Sequence, residues 1–290
     1  KIFKKMATGI FFHYQRGERL KDFPEALGSL LAKKNVLFYD ALYPLKPISS
    51  LELPPVPYEC IKRVHTADMI ERVKAAGDYE GAVYSAAGTF FAAMKIASGE
   101  LTNAFVFTGF GDHHAGGSFY GGGCYFNGAA IAIRELQTKR LMKKFAIIDT
   151  DAHHGNGTWD LFKDNMDVLY LCLCNSPFKE GGVNINIEIP LRTSDKEYLR
   201  IAETAFQKWI MEFKPECIFW NWGYDGTIGE YGDLGLTPAV HKRLARLLKN
   251  IAGNVCAGRL ITILCGGHGR KMASNLIPGI IEVLSDDIPV

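Results

Sequence analysis

The sequence has no long hydrophobic run, no block of like charge and no low-complexity stretch. A membrane-spanning helix takes about 20 consecutive apolar residues, and no stretch here reaches that length. The amino-terminal residues also lack the long hydrophobic segment that directs secretion. The balance of 33 Lys and Arg against 31 Asp and Glu leaves a formal net charge of +2, which gives no reason to expect a nucleic-acid or membrane surface. Internal repeats are not evident. The cysteines number seven, and Cys172, Cys174, Cys217 and Cys265 sit in or beside apolar runs. That distribution fits reduced thiols in a cytoplasmic protein better than a disulfide framework. Cys172-Leu173-Cys174 alternates as a strand does, so it reads as two small buried residues on one face rather than as metal ligands.

What the chain has is apolar material, 48% of its residues, enough for a large core in one domain spanning residues 1–290. Strand candidates are Gly9–His13, Ala104–Thr108, Lys144–Asp149, Cys217–Trp222 and Arg259–Leu264. Helical patterns fall at Pro24–Lys33, Ala67–Ala76, Ala82–Ser98 and Asn127–Lys139, and Pro44, Pro47, Pro54, Pro55 and Pro57 mark an irregular connection. Ser194 with Glu197 forms a capping box for a helix running to about Phe213, and Thr237-Pro238 offers an N-cap followed by proline. Alternating strand and helix predicts an α/β fold: a single open, mostly parallel sheet with helices on both faces.

One strand candidate ends in Asp149-Thr150-Asp151-Ala152-His153-His154-Gly155-Asn156-Gly157, two carboxylates, two imidazoles and flexible glycines in quick succession. Extended backbone puts Asp151 and His153 on one side, and an oxygen and a nitrogen ligand so arranged suit a divalent ion such as zinc. A polar loop capping a helix at Thr158 accounts for this stretch equally well. Three further apolar runs end similarly, in Asp112-His113-His114-Ala115-Gly116, in Gly223-Tyr224-Asp225-Gly226 and in Gly266-Gly267-His268-Gly269. Ligands of open parallel sheets bind beyond the carboxyl ends of strands. Five of the eight histidines lie in these loops, which weighs against isolated surface or core histidines.

These motifs, with Thr8-Gly9-Ile10, the His65–Val73 segment and Gly123-Cys124-Tyr125-Phe126-Asn127, occur in an order that resembles the histone deacetylase family, zinc-dependent deacetylases and amidohydrolases of arginase-like fold. The resemblance implies one zinc ion per chain held by Asp151, His153 and Asp225. It further implies hydrolysis of an N-acyl amide, such as acetyl-lysine, an acetylated polyamine or a related small N-acyl amine, by metal-activated water with His114 as general base. His113 would help bind and polarise that water, Asp149 would orient His113, and Asn156 would stand behind His114 where an aspartate would hold a cation more strongly. A structural potassium ion held by backbone carbonyls near Asp149–His153 is also implied. His154 reads as a structural hydrogen-bonding residue.

The sequence departs from the family at the position of an oxyanion-stabilising tyrosine, where it has His268. Losing such a donor typically costs about 2.7–4 kcal/mol, which predicts weak turnover of ordinary acetyl-lysine. Gly123 replaces a phenylalanine of the substrate channel, and Phe178, in a shortened loop, is a candidate for part of the missing aromatic wall. Asp112, Glu180 and Glu230 are acidic residues that would favour a cationic substrate, the alternative being that they are only solvated. Two alternatives accompany the deacylase reading: a metal-bearing acyl-group binder with little or no turnover, and arginase-like hydrolysis with a metal pair. The sequence leaves the oligomeric state open.

Overall fold

The computed structural model describes residues 7–12, 30, 32–40 and 51–286. Its ten strands form one sheet in the order β3-β2-β1-β4-β10-β9-β5-β6-β8-β7. They are β1 (Thr8–Phe12), β2 (Val36–Asp40), β3 (Leu51–Glu52), β4 (Asn103–Phe107), β5 (Phe145–Asp149), β6 (Val168–Cys174), β7 (Lys179–Gly181), β8 (Asn184–Glu188), β9 (Cys217–Trp222) and β10 (Leu260–Leu264). Every pairing is parallel except that of β7 with β8. The central strands are buried at every position, which is why they read as unbroken apolar runs without a period of two. Ile148, Leu171, Trp220 and Leu264 point into the core on one face, and Ile147, Tyr170, Phe219 and Ile263 into that on the other.

The five expected strands, β1, β4, β5, β9 and β10, lie within a residue of their expected ends, whereas β2, β3, β7 and β8 are not among the strand candidates and β6 is foreshadowed only by Cys172-Leu173-Cys174. Helix α1 (Tyr58–Lys62) and α2 (Ala67–Ala75) precede α3 (Tyr79–Ala97), which starts three residues before the expected Ala82. Asn127 caps α4 (Gly128–Thr138) through Ala130 N. After α5 (Asn156–Phe162), Ser194 caps α6 (Asp195–Ala205), but Glu197 turns its carboxylate to Arg200, so half the expected capping box forms. The helix continues towards Phe213 only through a π-helical turn at Phe206–Ile210. Residues 239–256 form the helix after Thr237-Pro238, and Arg270–Ser285 the last one. Most of the Pro24–Lys33 segment, His13, Pro44 and Pro47 lie outside the described residues. All seven cysteines are buried and free. No described helix is long and apolar enough to cross a membrane.

Strand order positions the site. The strands β4, β10, β9 and β5 are consecutive neighbours in the sheet. Their ends are level: Leu264 pairs with Phe107 and Trp222, and Asp149 pairs with Asn221. The four histidine- and aspartate-bearing loops therefore leave the sheet side by side at one edge.

Candidate metal centre

Pairing of β5 with β9 extends one step beyond the strand, Thr150 N donating to Asn221 O at 2.9 Å. The chain then turns, and its amides donate into carboxylates: Asp151 N to Asp149 Oδ1, Ala152 N to Asp225 Oδ1, His153 N to Asp151 Oδ1. These contacts bring together Asp151, His153 and Asp225, each offering a ligand atom within 4.8 Å of the others. His153 Nδ1 lies 3.1 Å from Asp151 Oδ1 and 2.9 Å from Asp225 Oδ2. A Cβ at residue 266 would collide with Asp151 Oδ2, so Gly266 lets the β10 loop cross close behind the ligands.

Two buried carboxylates side by side cannot both stay charged at no cost, so such a pair either keeps a proton or binds a cation. Burial and the neighbouring Asp151 raise the Asp225 carboxyl to about 6. Burial pushes Asp151 up as well, but His113 and the hydrogen bonds from His153 outweigh it and hold that carboxyl below its usual range. Hydrogen bonds to Asp151 and Asp225 raise His153 to about 10. Asp225 Oδ2 is fully buried, with the His153 imidazole beside it, 2.9 Å away. Two carboxylates and one imidazole whose ligand atoms converge within 4.8 Å fit a divalent ion with open coordination positions.

The two adjacent histidines lie against this group, their ring centroids 4.0 Å apart. His113 Nδ1 donates to Asp149 Oδ2 at 3.0 Å, and its Nε2 is 3.8 Å from Asp151 Oδ1. Burial works to lower its pKa, but the Asp149 and Asp151 charges overcome it and raise it to about 9. Asp149 is itself held by Tyr170 Oη at 2.9 Å. His114 Nδ1 pairs with Asn156 Oδ1 at 2.7 Å, and because an amide oxygen only accepts, the proton sits on Nδ1 and the Nε2 lone pair is left. Burial and the His113 charge lower the pKa of His114. A Cβ at residue 122, where φ is +56°, would collide with the His114 ring, so the glycine turn fits against that histidine.

His268 reaches this rim from the β10 loop, with its side chain 63% exposed and Nδ1 2.9 Å from Glu230 Oε2. Glu230 also accepts from His268 N and Gly269 N. It is buried and clamps the loop, so it is not the surface carboxylate for a cationic substrate that the sequence suggested. Asp112 is buried too, for it packs beneath the start of α4, whereas Glu180 is exposed. Gly123 has φ +73° and open space around its Cβ position. Phe178 is 59% exposed and pairs with no other aromatic ring among the described residues. His154 turns away from the ligands to Asn186 Oδ1 at 2.9 Å. A cavity of about 760 Å³ lined by Arg134, Asp160, Asp167 and Glu216 lies at the opposite end of β5, remote from these groups.

Tyr231 escaped sequence reasoning. Its ring stacks on His153 with centroids 5.6 Å apart and tilts against His268 at the same separation, while its hydroxyl accepts from Gly267 N at 2.9 Å. It sits in a glycine-rich loop with no periodicity, and its nearness to Asp225 in sequence was the only available signal.

Comparison with known proteins bears on the family and the fold. The model of the histone deacetylase domain matches residues 73–284. A protein of Archaeoglobus fulgidus named probable deacetylase is 28% identical over 314 residues, covering 97% of this chain and 87% of its own. Histone deacetylase 15 of Arabidopsis thaliana is 27% identical over 311 residues, 96% of this chain but 53% of its own length. The crystal structure of an HDA15 HD domain superposes with a TM-score of 0.77 at 24% identity, over 97% of this chain and 88% of that one, and so shares the fold. The chain belongs to the histone deacetylase family, and hydrolytic deacetylation is the general chemistry that this membership supports.

Proposed function

We propose that this protein is a metal-dependent deacylase that hydrolyses a linear N-acyl amide, its substrate an acetyl-lysine, an acetylated polyamine or a related small N-acyl amine. The observation that carries the reading is the convergence of Asp151, His153 and Asp225 beside two histidines whose pKa values are driven apart. Pairs of titratable groups so separated mark acid and base roles. Asp151, His153 and Asp225 would hold the ion, zinc by ligand type and by family. A divalent ion there supplies a Lewis acid that polarises the acyl carbonyl and renders water nucleophilic at neutral pH.

The protein groups do the rest. His114, kept neutral and oriented by Asn156, takes the proton of the attacking water at Nε2. As a cation it is flanked by an amide rather than a carboxylate, so it is weakly held in that state and returns the proton to the departing amine nitrogen. His113, charged against Asp149, remains a fixed positive neighbour of the negative charge that develops on the acyl oxygen. Tyr231 brings a phenol hydroxyl to the same rim from a different loop, and we assign it the donor role that the family's tyrosine plays at position 268. The open space at Gly123 admits acyl groups or carriers bulkier than acetyl-lysine. The potassium ion implied by the resemblance takes no part in these steps.

The exposure of His268 supports a second reading, an acyl-group binder with little turnover. A panel of N-acyl amines, assayed with zinc-loaded wild type and Asp225→Ala, decides between them. Steady turnover lost in the variant establishes the deacylase. Stoichiometric acyl-ligand binding without turnover on any substrate replaces it with the binder.

A further inference from the structure

Behind the loop that carries Asp151 and His153, a separate group of side chains meets between β6 and β8. Cys172 and Cys174, fully buried two residues apart on β6, face His154, and one potential ligand atom from each lies within 4.8 Å of the others. Asn186, which pairs with Cys172 across the sheet, completes the group. Its amide nitrogen donates to Ser176 O at 2.9 Å and Pro177 O at 2.8 Å, which fixes the amide and turns Oδ1 inwards. That oxygen lies 3.1 Å from Cys174 Sγ and 2.9 Å from His154 Nδ1.

We propose that His154, Cys172 and Cys174, with Asn186 Oδ1 as a fourth donor, form a second metal site selective for a thiophilic ion, zinc or copper(I). The ligand set is soft where the Asp151–His153–Asp225 set is hard, so the two centres differ in what they select. Tetrahedral zinc at about 2.3 Å from each sulfur sets the two sulfurs about 3.8 Å apart. Ligand atoms already within 4.8 Å of one another reach that arrangement by small side-chain rotations. Half-buried His154 is the point of entry. Binding releases the thiol protons to solvent and changes no oxidation state. Because His154 follows His153 directly, a filled site ties the metal-centre loop to β6 and β8. The separation of Cys172 and Cys174, which on alternation alone reads as ordinary strand packing, acquires a role only through His154 and Asn186 arriving from other elements.

Cobalt(II) tests the site, since a thiolate ligand gives an intense near-ultraviolet charge-transfer absorption that oxygen and nitrogen ligands do not. Metal-stripped protein is titrated with cobalt(II), and zinc content is measured in parallel. The expected result is the thiolate absorption in wild type and in Asp225→Ala, its loss in Cys174→Ser and in His154→Ala, and two zinc ions per chain falling to one in any of the three variants. Absence of the absorption in folded wild type overturns the proposal without recourse to any variant. So does its persistence in His154→Ala together with undiminished zinc content, a substitution at a half-buried position that leaves both cysteines in place. One zinc per chain lost only in Asp225→Ala leaves the first centre standing and removes the second. A thiolate absorption with no zinc lost in Asp225→Ala removes the first and leaves the second.

Discussion

At the scale of single residues, the paired histidines have separable consequences. His114 meets the ligand His153 only ring edge to ring face, with centroids 6.3 Å apart, and lies outside the group of three ligands, so His114→Ala is expected to keep its metal while losing about 10²–10⁴ in kcat/KM. Metal analysis and kinetics on the same preparation check this, and near-normal kcat/KM in the variant removes His114 from the mechanism. The oxyanion donor is a choice between Tyr231 and His268. Tyr231 is 59% exposed, so Tyr231→Phe leaves folding intact and is expected to reduce kcat by about 10²–10³. His268→Tyr is expected to raise turnover of a simple acetyl-lysine peptide in the Tyr231→Phe background more than in wild type. Unchanged kcat in Tyr231→Phe would leave the ring with a packing role against His153.

At the scale of elements, the Gly121-Gly122-Gly123 turn is the less obvious determinant. Gly123 has a left-handed backbone, so Gly123→Phe strains the turn as well as narrowing the channel, and the two effects are mixed. Gly121 has open space at its Cβ position and no positive φ, which makes Gly121→Phe the cleaner way to restore an aromatic wall. Its acyl-chain preference should shift towards acetyl relative to bulkier acyl groups, read as the ratio of kcat/KM values. Gly122→Ala, by contrast, drives a methyl group into His114. A displacement on the order of an ångström costs about 10²-fold in rate, and metal content should be unaffected. Full activity in this variant means that the turn yields without moving His114.

Across the whole molecule, two buried histidines tie stability to pH. His65 donates from Nδ1 to Gly116 O and accepts Asn127 N at Nε2, and His241 accepts Trp222 Nε1 at Nδ1 while its Nε2 faces Thr227 Oγ1. Each tautomer is fixed and neutral, and burial lowers both pKa values from 6.5 to about 4. Their contribution is therefore complete above about 6.5 and is lost as pH falls towards 4, by up to about 3 kcal/mol each. His113 has the opposite sign and acts above its ordinary value, so it does not mask the acid limb. Denaturant unfolding of metal-loaded protein between pH 7 and 5 should show this decline, reduced in His241→Gln; a flat profile contradicts the neutral assignment.

Apolar runs, caps and glycine punctuation are local properties, so the five strands that carry or flank the site and the residue types of their loops were legible in the sequence, whereas β2, β3, β7 and β8 and helix α1 were not. The sequence also carried the motif order that identifies the family, and so the expected roles of His113, His114, Asp149, Asp151, His153, Asn156 and Asp225. That β4, β10, β9 and β5 are neighbours emerges from the packed fold alone, since parallel strands joined by crossover helices leave their order open to any local reading. That order converts four separate loops into one rim. Packing also decided what had no local signal: Tyr231 against His153, Glu230 beneath His268, Gly122 against His114, and His154 beside Cys172 and Cys174. In each of these pairs the partners come from different elements, so their contact depends on how the elements pack and not on the sequence around either one.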